Sequence, residues 1–216
     1  MSWDSELWPI VGLSLRVSAT AVLLSTVVGV PLGAWLGLTR SRLRGPLAAL
    51  VYTGMGLPPV VVGLLVYLLL SRSGPLASLA WLFTPKAMIL AQVILAVPLV
   101  TGITMAAVAA VPAELFAQVR SLGASKWQTR LAMLREARLG VFLAIAAAFG
   151  RSISEVGAVI MVGGNIQNQT RVLTTAIVLE TGKGEFGLAL ALGGWLLALA
   201  LAVNLVIVRL QGRPVS

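Results

Sequence analysis

Long apolar runs alternate with short polar segments along most of the chain. Five of these runs are long enough to cross a bilayer, since a crossing helix needs about 20 predominantly apolar residues. They cover residues 10–38, 47–70, 87–111, 139–162 and 186–208. The pattern predicts an all-α polytopic membrane protein, with a single transmembrane domain over residues 1–216.

The segment from Pro112 to Arg138 interrupts this pattern because it is too highly charged to cross a bilayer. Apolar residues recur in it at helical spacing, which predicts two short amphipathic helices. They are Leu115, Val119, Leu122, Trp127, Leu131 and Leu134. Gly123 can adopt the left-handed conformation that ends the first helix, and Ser125 can cap the second. We expect this helix–turn–helix to lie outside the membrane and to dock onto a soluble partner.

The basic residues are distributed unevenly between the two sets of loops. Ten of the 16 follow the first, third and fifth runs: Arg40, Arg42, Arg44, Arg120, Lys126, Arg130, Arg135, Arg138, Arg209 and Arg213. The other loops carry four: Arg72, Lys86, Arg171 and Lys183. Cytoplasmic loops carry an excess of Lys and Arg, so this bias predicts an external N-terminus and a cytoplasmic C-terminus and 112–138 loop.

Composition supports the membrane class and disfavours an enzyme. The chain is 58% hydrophobic and 11% charged, with a mean hydropathy of +0.98, whereas a soluble domain is about 25% charged. It contains no Cys and no His, which excludes disulfides, thiolate metal sites and the commonest general base. The net charge of +9 is explained by the cytoplasmic loops and does not require nucleic acid.

Two charged residues, Arg151 and Glu155, stand inside the fourth apolar run. A charge at the bilayer centre costs about 2.5–3.5 kcal/mol on insertion scales. Four residues apart, they lie on one face of a continuous helix and can pair. Two interpretations remain open: this face, with Ser154 beside it, lines a path for a polar solute, or the charges form a buried structural pair.

The second apolar run contains a break, Gly54-Met55-Gly56-Leu57-Pro58-Pro59. Irregular backbone at membrane depth is tolerated where it packs against protein or lines a cavity. Lining of a path at Pro58 and a plain kink are both compatible with the sequence. Residues 165–184, between the fourth and fifth runs, are expected to contain a short helix that lies against the outer surface or dips into it.

Several motifs resemble those of one transport family. The 117–129 pattern, Ala-x3-Ser-Leu-Gly-Ala-Ser-x-Trp-x-Thr, resembles the cytoplasmic coupling loop of ABC-importer permeases, and Gly123 matches the glycine of that loop. The family's Glu-Ala-Ala triplet falls on residues 117–119, and its terminal Pro is absent. Residues 151–194, with Gly-Ala-Val-Ile-Met-Val-Gly-Gly-Asn and Thr-Arg-Val-Leu-Thr-Thr, resemble permeases for tungstate and, more loosely, molybdate.

This resemblance implies the membrane-spanning subunit of an ATP-driven importer for a small oxyanion in the inner membrane of a prokaryote. Tungstate is the first expectation, and molybdate, sulfate and phosphate are alternatives. The implied partners are a second copy of the chain, two ABC ATPase subunits and an extracytoplasmic oxyanion-binding protein. No cofactor is expected in this subunit, since ATP and Mg²⁺ belong to the ATPase and the chain has no phosphate-binding Gly-x4-Gly-Lys loop.

The resemblance also implies roles for particular residues. Coupling to the ATPase is assigned to Glu114, Ala117, Ser121, Gly123, Ala124 and Ser125. The translocation path is assigned to Pro58, Arg151, Ser154, Glu155, Asn165 and Thr174. The hydrogen-bond donors of Ser154, Asn165 and Thr174 suit a tetrahedral oxyanion. The alternative of another class is an ion-coupled secondary transporter with Glu155 as the proton carrier.

Overall fold

The computed structural model describes residues 3–39 and 41–210, and within them it is built from helices and connecting turns, with no strand. Arg40 and Arg213, which contribute to the charge bias, lie outside the described residues. The helices are α1 (Trp3–Leu38), α2 (Arg44–Met55), α3 (Pro59–Leu70), α4 (Pro85–Ala109), α5 (Ala113–Ser121), α6 (Lys126–Glu136), α7 (Arg138–Ile153), α8 (Gly157–Gly163), α9 (Leu173–Gly182) and α10 (Phe186–Leu210). A short 3₁₀ turn occupies Ala77–Leu79.

Three of these helices, α1, α4 and α10, are each long and apolar enough to cross a membrane. They correspond to the first, third and fifth predicted runs. The second and fourth runs are each divided between two helices: α2 and α3 meet at 96°, and α7 and α8 at 55°. Counting each bent pair as one span gives up to five crossings, in line with the hydrophobic pattern.

The prediction of a continuous fourth helix is wrong, because α7 ends at Ile153 and α8 begins at Gly157. The Ser154 hydroxyl donates to the carbonyl oxygen of Gly150 at 2.7 Å, a side-chain bond that competes with the helical ladder. The carboxylate of Glu155 then accepts the N–H of Ala158 at 3.1 Å, which caps the first turn of α8. Local side-chain bonds therefore stabilise a bend in a run that contains no proline.

A close helix contact joins α1 and α4 through three glycines spaced four residues apart, Gly29, Gly33 and Gly37. A Cβ at Gly33 would lie 2.5 Å from the carbonyl oxygen of Thr101, so α1 touches the backbone of α4 itself. A Cβ at Gly37 would lie 2.9 Å from the Met105 carbonyl oxygen. Small residues at this spacing allow such close approach of helices in membranes.

Large apolar side chains cover the outer faces of α1, α3 and α10. On α10 they include Leu190, Leu197, Leu201 and Leu205, all exposed. On its other face, Leu192 packs with Leu173 and Ala176 of α9 in a buried cluster. The expected short helix between the fourth and fifth runs is thus α9, which is buried along one face.

We expect Gly33→Ala to destabilise the protein by about 1–3 kcal/mol, because the added methyl group overlaps backbone atoms of α4 and the helices must separate. Thermal unfolding of the purified protein in detergent measures this effect. Gly194→Ala in α10 is the control, since a Cβ there meets nothing within 4 Å. Equal unfolding temperatures for the two variants would contradict the close contact.

Candidate functional site

The first candidate region is the exposed pair α5 and α6. Glu114 lies in the first turn of α5 and Arg120 in its last turn, so each charge interacts favourably with the nearby end of the helix dipole. One face of α5, with Leu115 and Val119, packs toward the buried Met133 of α6 and the ends of α1 and α4. The opposite face is exposed. It carries Glu114, Ala117 and Ser121.

The turn between α5 and α6 has the conformations that the sequence predicts. Gly123 has a φ of 84°, in the left-handed region. Ser125 caps α6 in a reciprocal pair: its hydroxyl accepts the N–H of Gln128 at 3.3 Å, and its own N–H donates to the Gln128 side-chain oxygen at 2.8 Å. The Arg120 guanidinium donates to the carbonyl oxygen of Ala124 at 3.3 Å, which closes the turn.

Large apolar side chains project from this pair. Leu122 is 86% exposed, Trp127 71% and Phe116 40%. The inner face of α6 is packed against the rest of the protein, since Thr129 and Met133 are each 1% exposed. A rigid element that presents apolar side chains beside charged ones is typical of a protein-binding surface.

The second candidate region is where the two bent segments meet. Arg151 of α7 donates to the carbonyl oxygen of Leu57, in the α2–α3 bend, at 3.4 Å. The second halves of the two segments approach closely at small residues, because a Cβ added to Gly63 of α3 would lie 2.8 Å from the Cα of Ala158 in α8. The bends at 56–58 and 154–156 are therefore joined by a side-chain bond and by close packing.

Donors from two other helices satisfy the carbonyl groups of the α7–α8 bend. The side-chain amide of Gln92 in α4 donates to the Ser152 carbonyl oxygen at 2.8 Å. The Thr174 hydroxyl of α9 donates to the Glu155 carbonyl oxygen at 2.9 Å. Four elements, α2–α3, α4, α7–α8 and α9, thus converge on one polar junction inside an apolar domain.

Two buried polar atoms at this junction have no partner among the described residues: the side-chain oxygen of Gln92 and Nε of Arg151. One is an acceptor and the other a donor. A polar solute or water at the junction would form hydrogen bonds with both atoms. In an apolar core each atom would stay without a hydrogen bond, at a cost of about 1–3 kcal/mol. The junction is therefore chemically suited to contact with a polar solute.

The structure brings together Pro58, Arg151, Glu155 and Thr174 of the predicted path residues. It does not pair Arg151 with Glu155; the guanidinium turns to Leu57, and the carboxylate turns to Ala158. The buried ion pair, one of the two interpretations left open by the sequence, does not form. The chain bends between the two residues, so their side chains no longer lie on one helix face. Among the described residues, the one ion pair joins Lys183 and Glu180.

Two predicted path residues lie apart from the polar junction contacts. Ser154 is exposed, and its hydroxyl bonds only within α7. Asn165 follows α8 with a φ of 50°, about 10 Å beyond Glu155 along the helix axis. Sequence reasoning missed Gln92. The available signal was that Gln92 is the one amide in the apolar α4 run.

An exposed helical hairpin on a domain of apolar spans with a polar interior junction defines a transport protein of the membrane. A family model described as "Binding-protein-dependent transport system inner membrane component" matches residues 29–214. The chain belongs to this family and is a multi-pass inner-membrane protein.

Individual relatives agree with this assignment. The chain is 45% identical over 209 residues to a "Probable anion ABC transporter permease protein" of Haloferax volcanii, covering 94% of this chain and 90% of the relative. It is 40% identical over 211 residues to the "Tungstate uptake system permease protein TupB" of Peptoclostridium acidaminophilum, covering 98% and 92%. It is 32% identical over 194 residues to the "Molybdenum transport system permease protein ModB" of Escherichia coli, covering 84% of each chain.

The fold is also similar to that of a solved structure, the inward-facing MetNI methionine ABC transporter. The TM-score is 0.76 at 22% identity, over 99% of this chain and 100% of the other. The likeness extends to the whole arrangement of helices, and it places the chain in the ABC permease fold.

We expect Glu155→Gln to keep the stability of the protein, because the amide oxygen can still accept the Ala158 N–H. Glu155→Ala should lose about 0.5–2 kcal/mol, as for other helix caps. Thermal unfolding in detergent measures both. The exchange of both charges, Arg151→Glu with Glu155→Arg, should remain destabilised; its recovery to the stability of the unmodified protein would show that the two side chains pair.

Proposed function

We propose that this chain is the permease subunit of an ATP-driven ABC importer that moves a small oxyanion, most simply tungstate, into the cytoplasm. The observation that carries the proposal is the identity of 40–45% to relatives named as tungstate and anion permeases over nearly the whole chain. Molybdate is the next alternative. It ranks below tungstate because the molybdenum permeases are only 30–32% identical to this chain. Sulfate and phosphate are further alternatives.

The proposed topology has five crossings in a single transmembrane permease domain, with each bent pair counted as one. The N-terminus is outside, and α5–α6 and the C-terminus are in the cytoplasm. The charge bias supports this orientation, because Lys126, Arg130 and Arg135 all belong to α6. The opposite orientation would carry this basic helix across the membrane.

In the proposed mechanism, α5 seats in a groove of an ABC ATPase subunit and transmits its movement. Ala117, Ser121 and Ala124 are small, which allows close contact, and Glu114 supplies a charge at the start of the helix. Gly123 and Ser125 hold the turn in shape. Closure of two ATPase subunits on ATP and Mg²⁺ moves two copies of α5–α6 together and reorients the spans as rigid bodies. This subunit itself carries no cofactor and hydrolyses no ATP.

The proposed path lies between two copies of the chain, with the polar junction as its lining. Arg151 supplies positive potential for a divalent oxyanion, and Gln92 and Thr174 supply polar groups beside it. A permease that bound the anion tightly would release it slowly. Selection is therefore assigned to an extracytoplasmic binding protein, and this chain provides a weaker, transient contact.

The rival function is ion-coupled secondary transport with Glu155 as the proton carrier. The Glu155 carboxylate already accepts a backbone N–H as a helix cap, and it is the one carboxylate of the junction. The family assignment also favours the ATP-driven class.

The deciding experiment reconstitutes the chain in liposomes with an ABC ATPase and the oxyanion-binding protein from the same organism. Tungstate uptake should require ATP and should be unaffected by collapse of the proton gradient. Uptake that follows the gradient without ATP would establish the rival instead. Competition by molybdate, sulfate and phosphate then ranks the substrates.

Cysteine labelling is expected to show which side α6 occupies, and the chain is well suited to it because it contains no Cys. In intact spheroplasts, Lys126→Cys should react with a membrane-impermeant maleimide only after lysis. Arg72→Cys, in the loop at the other end of the spans, should react before lysis. The reverse pattern would invert the proposed topology.

We expect Gly123→Asp to abolish coupling while leaving the chain in the membrane, because a charged side chain then projects from the docking turn. Loss of a contact of this kind lowers transport by about tenfold or more. Gly184→Asp is a matched control: Gly184 has a φ of 82°, and a Cβ at either glycine meets nothing within 4 Å. Tungstate uptake per ATP hydrolysed measures the effect, and equal values for the two variants would refute docking at this turn.

A further inference from the structure

A cavity of about 390 Å³ opens near the N-terminal end of α1. Arg16 of α1 and Arg171, just before α9, line it together with the side chains of Asn168 and Gln169. Arg16 lies about 33 Å along the helix from Leu38, the end of α1 that borders α5. The cavity is therefore at the opposite end of the spans from α5–α6.

The lining of this cavity is rich in hydrogen-bond donors. Its described lining residues include two arginines and two amides but no Asp or Glu. Neither Arg16 nor Arg171 forms an ion pair within the described part of the chain, and Nε of Arg171 is buried without a partner there. A guanidinium has five N–H donors in a planar fork, which matches an oxyanion better than it matches a neutral ligand.

The walls are held in place by specific bonds. The N–H of Leu173, at the start of α9, donates to the Ser14 hydroxyl of α1 at 2.8 Å. The Thr170 hydroxyl accepts the N–H of Ile166 at 2.9 Å and donates to the carbonyl oxygen of Gly163 at 2.5 Å. The loop that presents Asn168, Gln169 and Arg171 is thus fixed to both α1 and α8, so this wall of the cavity is preformed. Arg16, which is exposed, lies on the wall formed by α1.

The local field at the cavity is positive. Pro85, the first residue of the 25-residue helix α4, is part of the lining, so the positive end of a helix dipole faces this end of the domain. Excess positive charge is the property of the cytoplasmic side, and this cavity lies at the other end. Membrane orientation therefore does not explain the two arginines, and a local ligand does.

We propose that this cavity is a receiving site for a free tetrahedral oxyanion, such as tungstate or molybdate, after its release by the extracytoplasmic binding protein. The inference rests on the proposed function and adds a second anion contact outside the polar junction. A phospholipid headgroup offers similar phosphate chemistry. The commonest zwitterionic headgroups also carry an ammonium group, and the described lining has no carboxylate to pair with it.

Arginine substitutions test the receiving site in the reconstituted transporter. Arg171→Gln and Arg16→Gln should each lower the tungstate imported per ATP hydrolysed by about tenfold, since each removes a charge-assisted contact. Arg171→Lys, which keeps the charge, should recover part of the loss. Arg72→Gln, an exposed arginine at the same end, is the control and should leave the ratio unchanged.

A cavity-filling pair tests the same site without changing a charge. Gly12 lines the cavity, and a Cβ there meets nothing within 4 Å. Gly12→Ala should therefore leave transport intact, whereas the longer side chain of Gly12→Met occupies the space and should lower import per ATP. Binding-protein-stimulated ATPase activity should persist in both variants, which shows that they fold and assemble.

Equilibrium binding distinguishes the two sources of the oxyanion. The whole transporter in delipidated detergent solution should bind tungstate, and Arg171→Gln should weaken that binding about tenfold. The inference is overturned if Arg171→Gln alters neither binding nor import. It is also overturned if that variant loses bound phosphatidylglycerol and keeps its tungstate affinity, since the site then holds a headgroup. Failure of the unmodified transporter to import any oxyanion would instead refute the proposed function.

Discussion

Backbone groups inside a membrane must find partners within the protein, and this constraint organises the domain. Two of its spans bend sharply, which frees carbonyl oxygens at a depth where bulk water is not available to donate hydrogen bonds to them. Arg151 reaches Leu57 in one bend, while Gln92 and Thr174 reach the other. Each of these donors comes from a different helix. The bends therefore link α4, α7 and α9, and they leave polar side chains at the junction that we propose as the lining of the path.

The contact between α1 and α4 forms a closely packed pair against which the bent segments lie. Glycines along α1 bring it onto the backbone of α4, and buried side chains of α6 pack at the same end of both helices. The α5–α6 pair is thus part of the body that these two helices form, although it projects from it. A force on the exposed turn would act on packed helices and not on a slack loop.

The hydrophobic pattern was sufficient to predict an all-α membrane protein with up to five apolar segments, and the structure has two short helices, α5 and α6, within 112–138. Turn chemistry at Gly123 and Ser125 is local, so it could be read directly from the sequence. The bend at 154–156 was not predicted although its Ser154 and Glu155 bonds are local, because a serine hydroxyl that bonds to the preceding turn is also compatible with an unbroken helix. The partner of Arg151 and the role of Gln92 could not be read from the sequence for another reason: their bonds reach residues more than 50 positions away, which leaves no periodic signal.

The joint between α6 and α7 has a mechanical consequence. Only Ala137 separates Glu136 from Arg138, and backbone bonds run through it, from the Ala137 N–H to Met133 at 2.9 Å and from the Val141 N–H to Ala137 at 3.1 Å. Along α7, Arg151 lies about 20 Å from Arg138, and the bend follows it at 154–156. The two helices are thus joined without a flexible linker. A tilt of α6 would therefore be transmitted along α7 to the guanidinium of Arg151 near its other end.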